Sequence, residues 1–123
     1  MALKFNPNPT FKLTVLVPVA GQEKPEDIPL TVKHFKPADY AELVKNTGEK
    51  MAKAAGKDDK QIDAMIDTLL AIITGWEWTD EGTPVDIELS RENIAAVLAN
   101  YPAFYFSVIE QYGQELYKVR EKN

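Results

Sequence analysis

Two carboxylates four residues apart, Asp63 and Asp67, are the first residues in this chain whose spacing could do chemistry. On a helix they share a face, and paired carboxylates can hold a hard cation or exchange protons. No third ligand is spaced to complete such a site, and Asp59 and Lys60 nearby fit a solvated helix face. The chain has no cysteine, and His34 is its only histidine. Thiolate zinc sites, iron–sulfur clusters, disulfide frameworks and cysteine nucleophiles are therefore excluded, as is a two-histidine metal site within the chain. His34 stands outside any nucleophile motif and reads as a hydrogen-bonded boundary residue. No cofactor is expected. An enzyme would have to rest on Asp63, Asp67 and the acidic loop after Trp76, as a small carboxylate-based metal site.

Aromatic residues carry the stronger signal. The loop Trp76-Glu77-Trp78-Thr79-Asp80-Glu81 could stack a sugar or a cation on its indoles. Trp76, directly after an apolar helical run, reads instead as a plug that anchors the following loop, whereas Trp78 is placed at a surface used by a partner. Five Phe, two Trp and five Tyr make up the aromatic set. Half of them fall after position 100, namely Tyr101, Phe104, Tyr105, Phe106, Tyr112 and Tyr117. Consecutive Phe104, Tyr105 and Phe106 point about 100° apart on a helix, so one core cannot take all three. Either that helix lies between two layers or one ring faces a partner. Trp78, Phe104, Phe106 and Tyr117 are the candidate protein-binding residues, because their rings are the hardest to place in a single core.

The elements that must position these rings can be read from periodicity. The chain of 123 residues is long enough for a single domain, 1–123, with one core. Phe11, Leu13, Val15, Val17 and Val19 alternate with polar positions, and Ile28, Leu30 and Val32 do the same after a polar Gly/Pro loop. That predicts a β-hairpin over 10–35. Pro18 and Pro29 lack donors, so both strands should offer an edge somewhere along their length. Helical signals fill 37–121. Pro37 opens the first helix, and residues 46–60 read as a frayed extension or mobile connection. Ile62, Met65, Ile66, Leu69, Leu70 and Ile73 mark a second helix, capped by Asp58 or Asp59 and closed at Gly75. Ser90 should cap a third, and Pro102 should separate it from a fourth carrying Tyr105, Val108, Ile109, Tyr112 and Leu116. Lys118, Arg120 and Lys122 oppose the negative end of the last helix dipole. The fold class is α+β, a hairpin followed by a mainly helical bundle of about four helices.

Fourteen Lys+Arg against nineteen Asp+Glu give a net charge of −5, which argues against phosphate-neutralising nucleic-acid binding. The basic cluster Lys33, His34 and Lys36 is too small for that purpose. The N-terminus has no apolar signal region, and the most hydrophobic stretch, Ala64 to Trp78, is broken by Asp67 and Glu77. The expectation is a soluble intracellular protein with no membrane partner.

Several ordered motifs resemble those of phage tail assembly chaperones. They are Ile73-Thr74-Gly75-Trp76, an acidic loop with Pro84, Ser90-Arg91-Glu92-Asn93-Ile94, Leu98-Ala99-Asn100-Tyr101-Pro102, and the series Ile109, Tyr112, Leu116, Arg120 and Asn123. The strand pair from Phe11 through Phe35 resembles the extended opening of those proteins. The stretch Asn46 to Lys60 departs from the family by being longer and richer in Ala and Lys. The resemblance implies a non-enzymatic protein of the host bacterial cytoplasm. Its partners would be the tape-measure protein of a tailed phage or prophage, which it keeps soluble, and the major tail-tube protein, which it helps recruit. The resemblance carries over no catalytic residue. Strand edges and aromatic helix faces add the expectation of a homo-oligomer, and a structural tail component retained in the virion is the alternative role.

Overall fold

A computed structural model describes residues 3–118. The chain begins with β1 (Thr10–Val17) and β2 (Glu26–Lys33), followed by α1 (Pro37–Lys53) and α2 (Asp58–Ile72). Three short strands come next, β3 (Ile73–Trp76), β4 (Trp78–Asp80) and β5 (Thr83–Val85), and the chain closes with α3 (Arg91–Asn100) and α4 (Phe104–Tyr117). The expected hairpin-then-helices order in an α+β fold is present. Expectations about Arg120, Lys122 and Asn123 lie outside the described residues.

Alternation fixes the hairpin. β1 and β2 pair antiparallel from Thr10↔Lys33 to Val17↔Glu26. Leu13, Val15, Val17, Ile28, Leu30 and Val32 are all buried on one face, while Lys12, Thr14 and Leu16 face out. The helices cover the buried face, with α4 against β1 and α2 against β2 and β3. α1 packs on α2 and α4, and α3 packs on the same two helices. Ile66, Leu69, Ile72, Ile94, Val108 and Tyr112 complete the core. Each such fully buried aliphatic side chain contributes about 1.5–3 kcal/mol relative to exposure.

β1 is an edge, and its free side is blocked at one point. The Gln111 amide donates to the Leu16 carbonyl at 2.7 Å and accepts from the Leu16 N–H at 2.8 Å, as a neighbouring strand would. Pro18 follows directly, with no donor to offer at the edge.

The second helix ends earlier than its apolar stripe suggests. Ile73 adopts φ −88°, ψ 125°, so α2 passes straight into a third strand. Ile73 and Thr74 are β-branched, and β2 has an unpaired side for them to occupy. Ile73–Trp76 pair antiparallel with Leu30–Val32, and the Thr74 hydroxyl donates to the Thr31 carbonyl at 3.2 Å. Gly75 therefore sits in a strand beside Thr31 and is not a helix cap. The connection expected over 46–60 is also narrower, since α1 continues through Lys53 and only 54–57 separates it from α2. The Thr47 hydroxyl explains part of this continuity: it bonds the Leu43 carbonyl and, across the helix pair, the Thr68 hydroxyl. The residue preceding α2 is Lys57, with Asp58 and Asp59 in its first turn, where they favour the helix dipole without capping it.

The acidic loop after Trp76 contains a further hairpin. Trp78–Asp80 pairs with Thr83–Val85 around Glu81 (φ 49°) and Gly82 (φ 82°). Two consecutive positive φ values in a two-residue turn match the right-handed twist of the strands. The two remaining helix boundaries follow expectation. The Ser90 hydroxyl accepts from the Asn93 N–H at 3.2 Å and caps α3, and Pro102 lies between α3 and α4.

Candidate functional site

β3 pairs with β2 only as far as Leu30, so the start of β2 keeps an uncovered side. The last backbone link there is a single bond, Glu77 N–H to the Pro29 carbonyl at 3.1 Å. Proline cannot return a bond, which is why pairing stops at this point. Beyond it opens a cleft of about 410 Å³, within the size range of small-ligand and side-chain pockets. Its apolar lining comes from Val17, Val19, Ile28, Trp78, Tyr101 and Phe104. Glu26, Asp27 and Glu77 contribute its charge, and among the described residues no lysine or arginine lines it.

Each element has a reason for its place. Trp78 opens β4, with Glu77 alone between it and the end of β3, and its ring meets Trp76 edge to face at 5.3 Å. Trp76 is held by its Nε1, which donates to the Ile87 carbonyl at 2.7 Å, so it anchors the following loop as expected. Trp78 differs: its Nε1 is buried and has no hydrogen-bond partner among the described residues. A buried donor without a partner costs about 1–3 kcal/mol. The α3–α4 break at Pro102 delivers Tyr101 and Phe104 to the opposite wall.

The four candidate binding residues divide into two groups. Trp78 and Phe104 meet in the cleft, Phe104 being 1% exposed and forming its back wall. Phe106 and Tyr117 stay outside it, 57% and 58% exposed on α4. Eleven residues of helix return to nearly the same direction, so these two rings share one side of α4. The consecutive rings of Phe104, Tyr105 and Phe106 do not share one environment. Phe104 and Tyr105 are buried, and Phe106 is the ring turned outward. Glu26 and Asp27 escaped the sequence reading as site residues. Their signal is an acidic pair at the end of the hairpin loop, and its meaning depends on β3 stopping short.

The carboxylate pair resolves differently. Arg91 of α3 binds Asp67 and lies 3.6 Å from Asp63, so both carboxylates face one guanidinium. This ties α2 to α3 at the surface and leaves the pair engaged in an ion pair. Among the described residues no cluster of three or more His, Asp or Glu could hold a metal ion. His34 directly follows β2, its ring edge-on to Phe11 at 5.9 Å, and its backbone N–H donates to the Pro9 carbonyl at 2.8 Å.

Three buried tyrosines are the remaining titratable feature. Burial raises the phenol pKa of Tyr40, Tyr105 and Tyr112; nearby Tyr105 and Tyr112 add to the rise at Tyr40. Bonds from Thr47 and Thr68 partly offset the rise at Tyr105, as does the bond with Phe35 at Tyr112. The Tyr112 hydroxyl donates to Lys33 O at 2.8 Å and accepts from Phe35 N–H at 2.9 Å. The Tyr40 hydroxyl donates to Ile109 O at 2.6 Å. These groups hold α1, α4 and the end of β2 together.

Among the described residues no helix is long and apolar enough to cross a membrane. No curated protein and no solved structure matches the chain. The sequence profile described as phage tail assembly chaperone matches residues 1–123, the whole length of the chain, which therefore belongs to that family.

Proposed function

We propose that this chain binds the tape-measure protein of a tailed phage or prophage in the host cytoplasm. It keeps that protein soluble and helps bring tail-tube subunits to it, without catalysing a reaction. The observation that carries this reading is the cleft at the end of the sheet, apolar within and acidic at its rim. Apolar anchor side chains fit such a recess, and bound segments contribute affinity mainly through a few well-seated rings. Trp78 and Phe104 form the receiving surface, and Phe106 with Tyr117 forms a second contact along α4. The net charge of −5 keeps the coated complex dispersed. Co-expression with an insoluble tape-measure fragment tests the role. The fragment moves into the soluble fraction and co-purifies with the chain; a fragment that stays insoluble contradicts the reading. Mass spectrometry of purified virions separates the chaperone from a retained structural component, which would be present in the particle.

A further inference from the structure

We propose that the lysine-lined groove between α1 and α2 is a docking site for an acidic helical segment of a partner protein. The groove has a volume of about 340 Å³. Lys50 and Lys53 line it from α1, Lys60 lines it from α2, and Lys57 comes from the linker between them. The buried Ala54 and Ala64 lie among these lysines. Asp63 and Asp67 also line the groove, but both already face Arg91. Among the described residues none of the four lysines is in an ion pair. In a chain of net charge −5, four positive charges thus gather in one recess with no carboxylate bound to them.

Helix stability explains only half of this charge. Lys50 and Lys53 lie in the last turn of α1, where cations suit the negative end of the helix dipole. Lys57 precedes α2 and Lys60 lies in its first turn, at the positive end, where a cation is unfavourable. Asp58 and Asp59, which do suit that end, are not among the lining residues. The dipole works against Lys57 and Lys60, and an anionic occupant would offset it. A carboxylate-bearing helix fits better than a nucleic acid. Among the described residues no aromatic lines the groove to stack a base, and Asp63 and Asp67 would repel a continuous phosphate backbone. A packed helix pair such as α1 and α2 offers a groove in which a third helix can lie. Carboxylates three and four residues apart recur on one face of such a helix. The pairs Lys50/Lys53 and Lys57/Lys60 repeat at the same kind of interval. Further along α2 the fold uses this chemistry with the sign reversed, since Arg91 docks α3 on Asp63 and Asp67.

This inference does not rest on the tape-measure reading, and the groove shares no lining residue with the cleft. The probe is an alanine-rich helical peptide with glutamates three and four residues apart, titrated into the full chain at low salt. It should shift the amide resonances of Lys53, Ala54, Gly56, Lys57 and Lys60, and added sodium chloride should weaken its binding. Lys53→Glu/Lys57→Glu/Lys60→Glu, altered only at exposed positions, should keep its circular dichroism and lose at least about tenfold in affinity. A lysine version of the peptide should prefer this variant to wild type. The milder Lys57→Gln/Lys60→Gln should weaken binding in the same direction and serves if the triple variant unfolds. Resonances that stay unmoved, a glutamine version of the peptide that binds as tightly, or a folded charge-reversed variant that binds like wild type would each overturn the proposal. So would a single-stranded oligonucleotide or inorganic phosphate that binds more tightly than the peptide at the same ionic strength, since the groove would then be a phosphate site.

Discussion

Two aromatic groups lie in this small fold and are treated in opposite ways. Tyr40, Tyr105 and Tyr112 are packed into the helix–sheet junction, with the Tyr40 and Tyr112 rings 4.5 Å apart. Their hydroxyls meet backbone carbonyls or buried threonines, so both the ring and its polar end are satisfied within the chain. Trp78, Tyr101 and Phe104 instead surround a recess, and the Trp78 donor has no partner among the described residues. The first group is satisfied inside the fold, while the second lines an open recess. Residue class alone does not separate them; what separates them is whether the polar atom finds a neighbour.

That contrast can be broken most strongly at Tyr112. Tyr112→Ala should cost about 3–5 kcal/mol in urea unfolding, as expected for losing a fully buried aromatic ring. Tyr112→Phe retains the ring but strands Lys33 O and Phe35 N, and should cost about 1–3 kcal/mol. Alkaline titration probes the same group. A phenol whose folded pKa is raised stays protonated in the native state while the unfolded chain loses its proton near pH 10. Stability is thus intact below pH 10 and falls as pH rises above it, and Tyr40→Phe should flatten that fall in chemical denaturation at pH 9–11. At the cleft the same kind of change should do little. Trp78→Phe relieves a donor that has no partner but gives up part of the packed ring; the two effects oppose, so its unfolding free energy should stay within about 0.5 kcal/mol of wild type. A larger loss would mean that Trp78 belongs with the tyrosines.

Much of the fold was legible because periodicity and caps agree locally. The strand alternation from Phe11 to Val19, the Ser90 cap and the Pro102 break are each decided by neighbours within a few residues. Ile73-Thr74-Gly75-Trp76 was not legible in that way. Its apolar residue continues a helical stripe and its glycine looks like a cap, but the open side of β2 draws the segment into a strand. A vacancy more than forty residues upstream settled that choice. The site followed the same rule. Trp78 and Phe104 stood out as rings difficult to bury, yet Phe104 is buried as the wall of a cleft that exists only because β3 is shorter than β2. Glu26 and Asp27 gained meaning only once that end of the sheet was seen to be open. The tail motif at Arg120 and Asn123 lies outside the described residues.

Calorimetric titration of a soluble tape-measure segment separates the cleft from the α4 ridge. Wild-type chain should bind it, Trp78→Ser should lose at least about tenfold in affinity, or about 1.4 kcal/mol, and Phe106→Ser/Tyr117→Ser should lose less. Absence of binding by wild type, or affinity unchanged in a folded Trp78→Ser chain, would contradict the role assigned to the cleft.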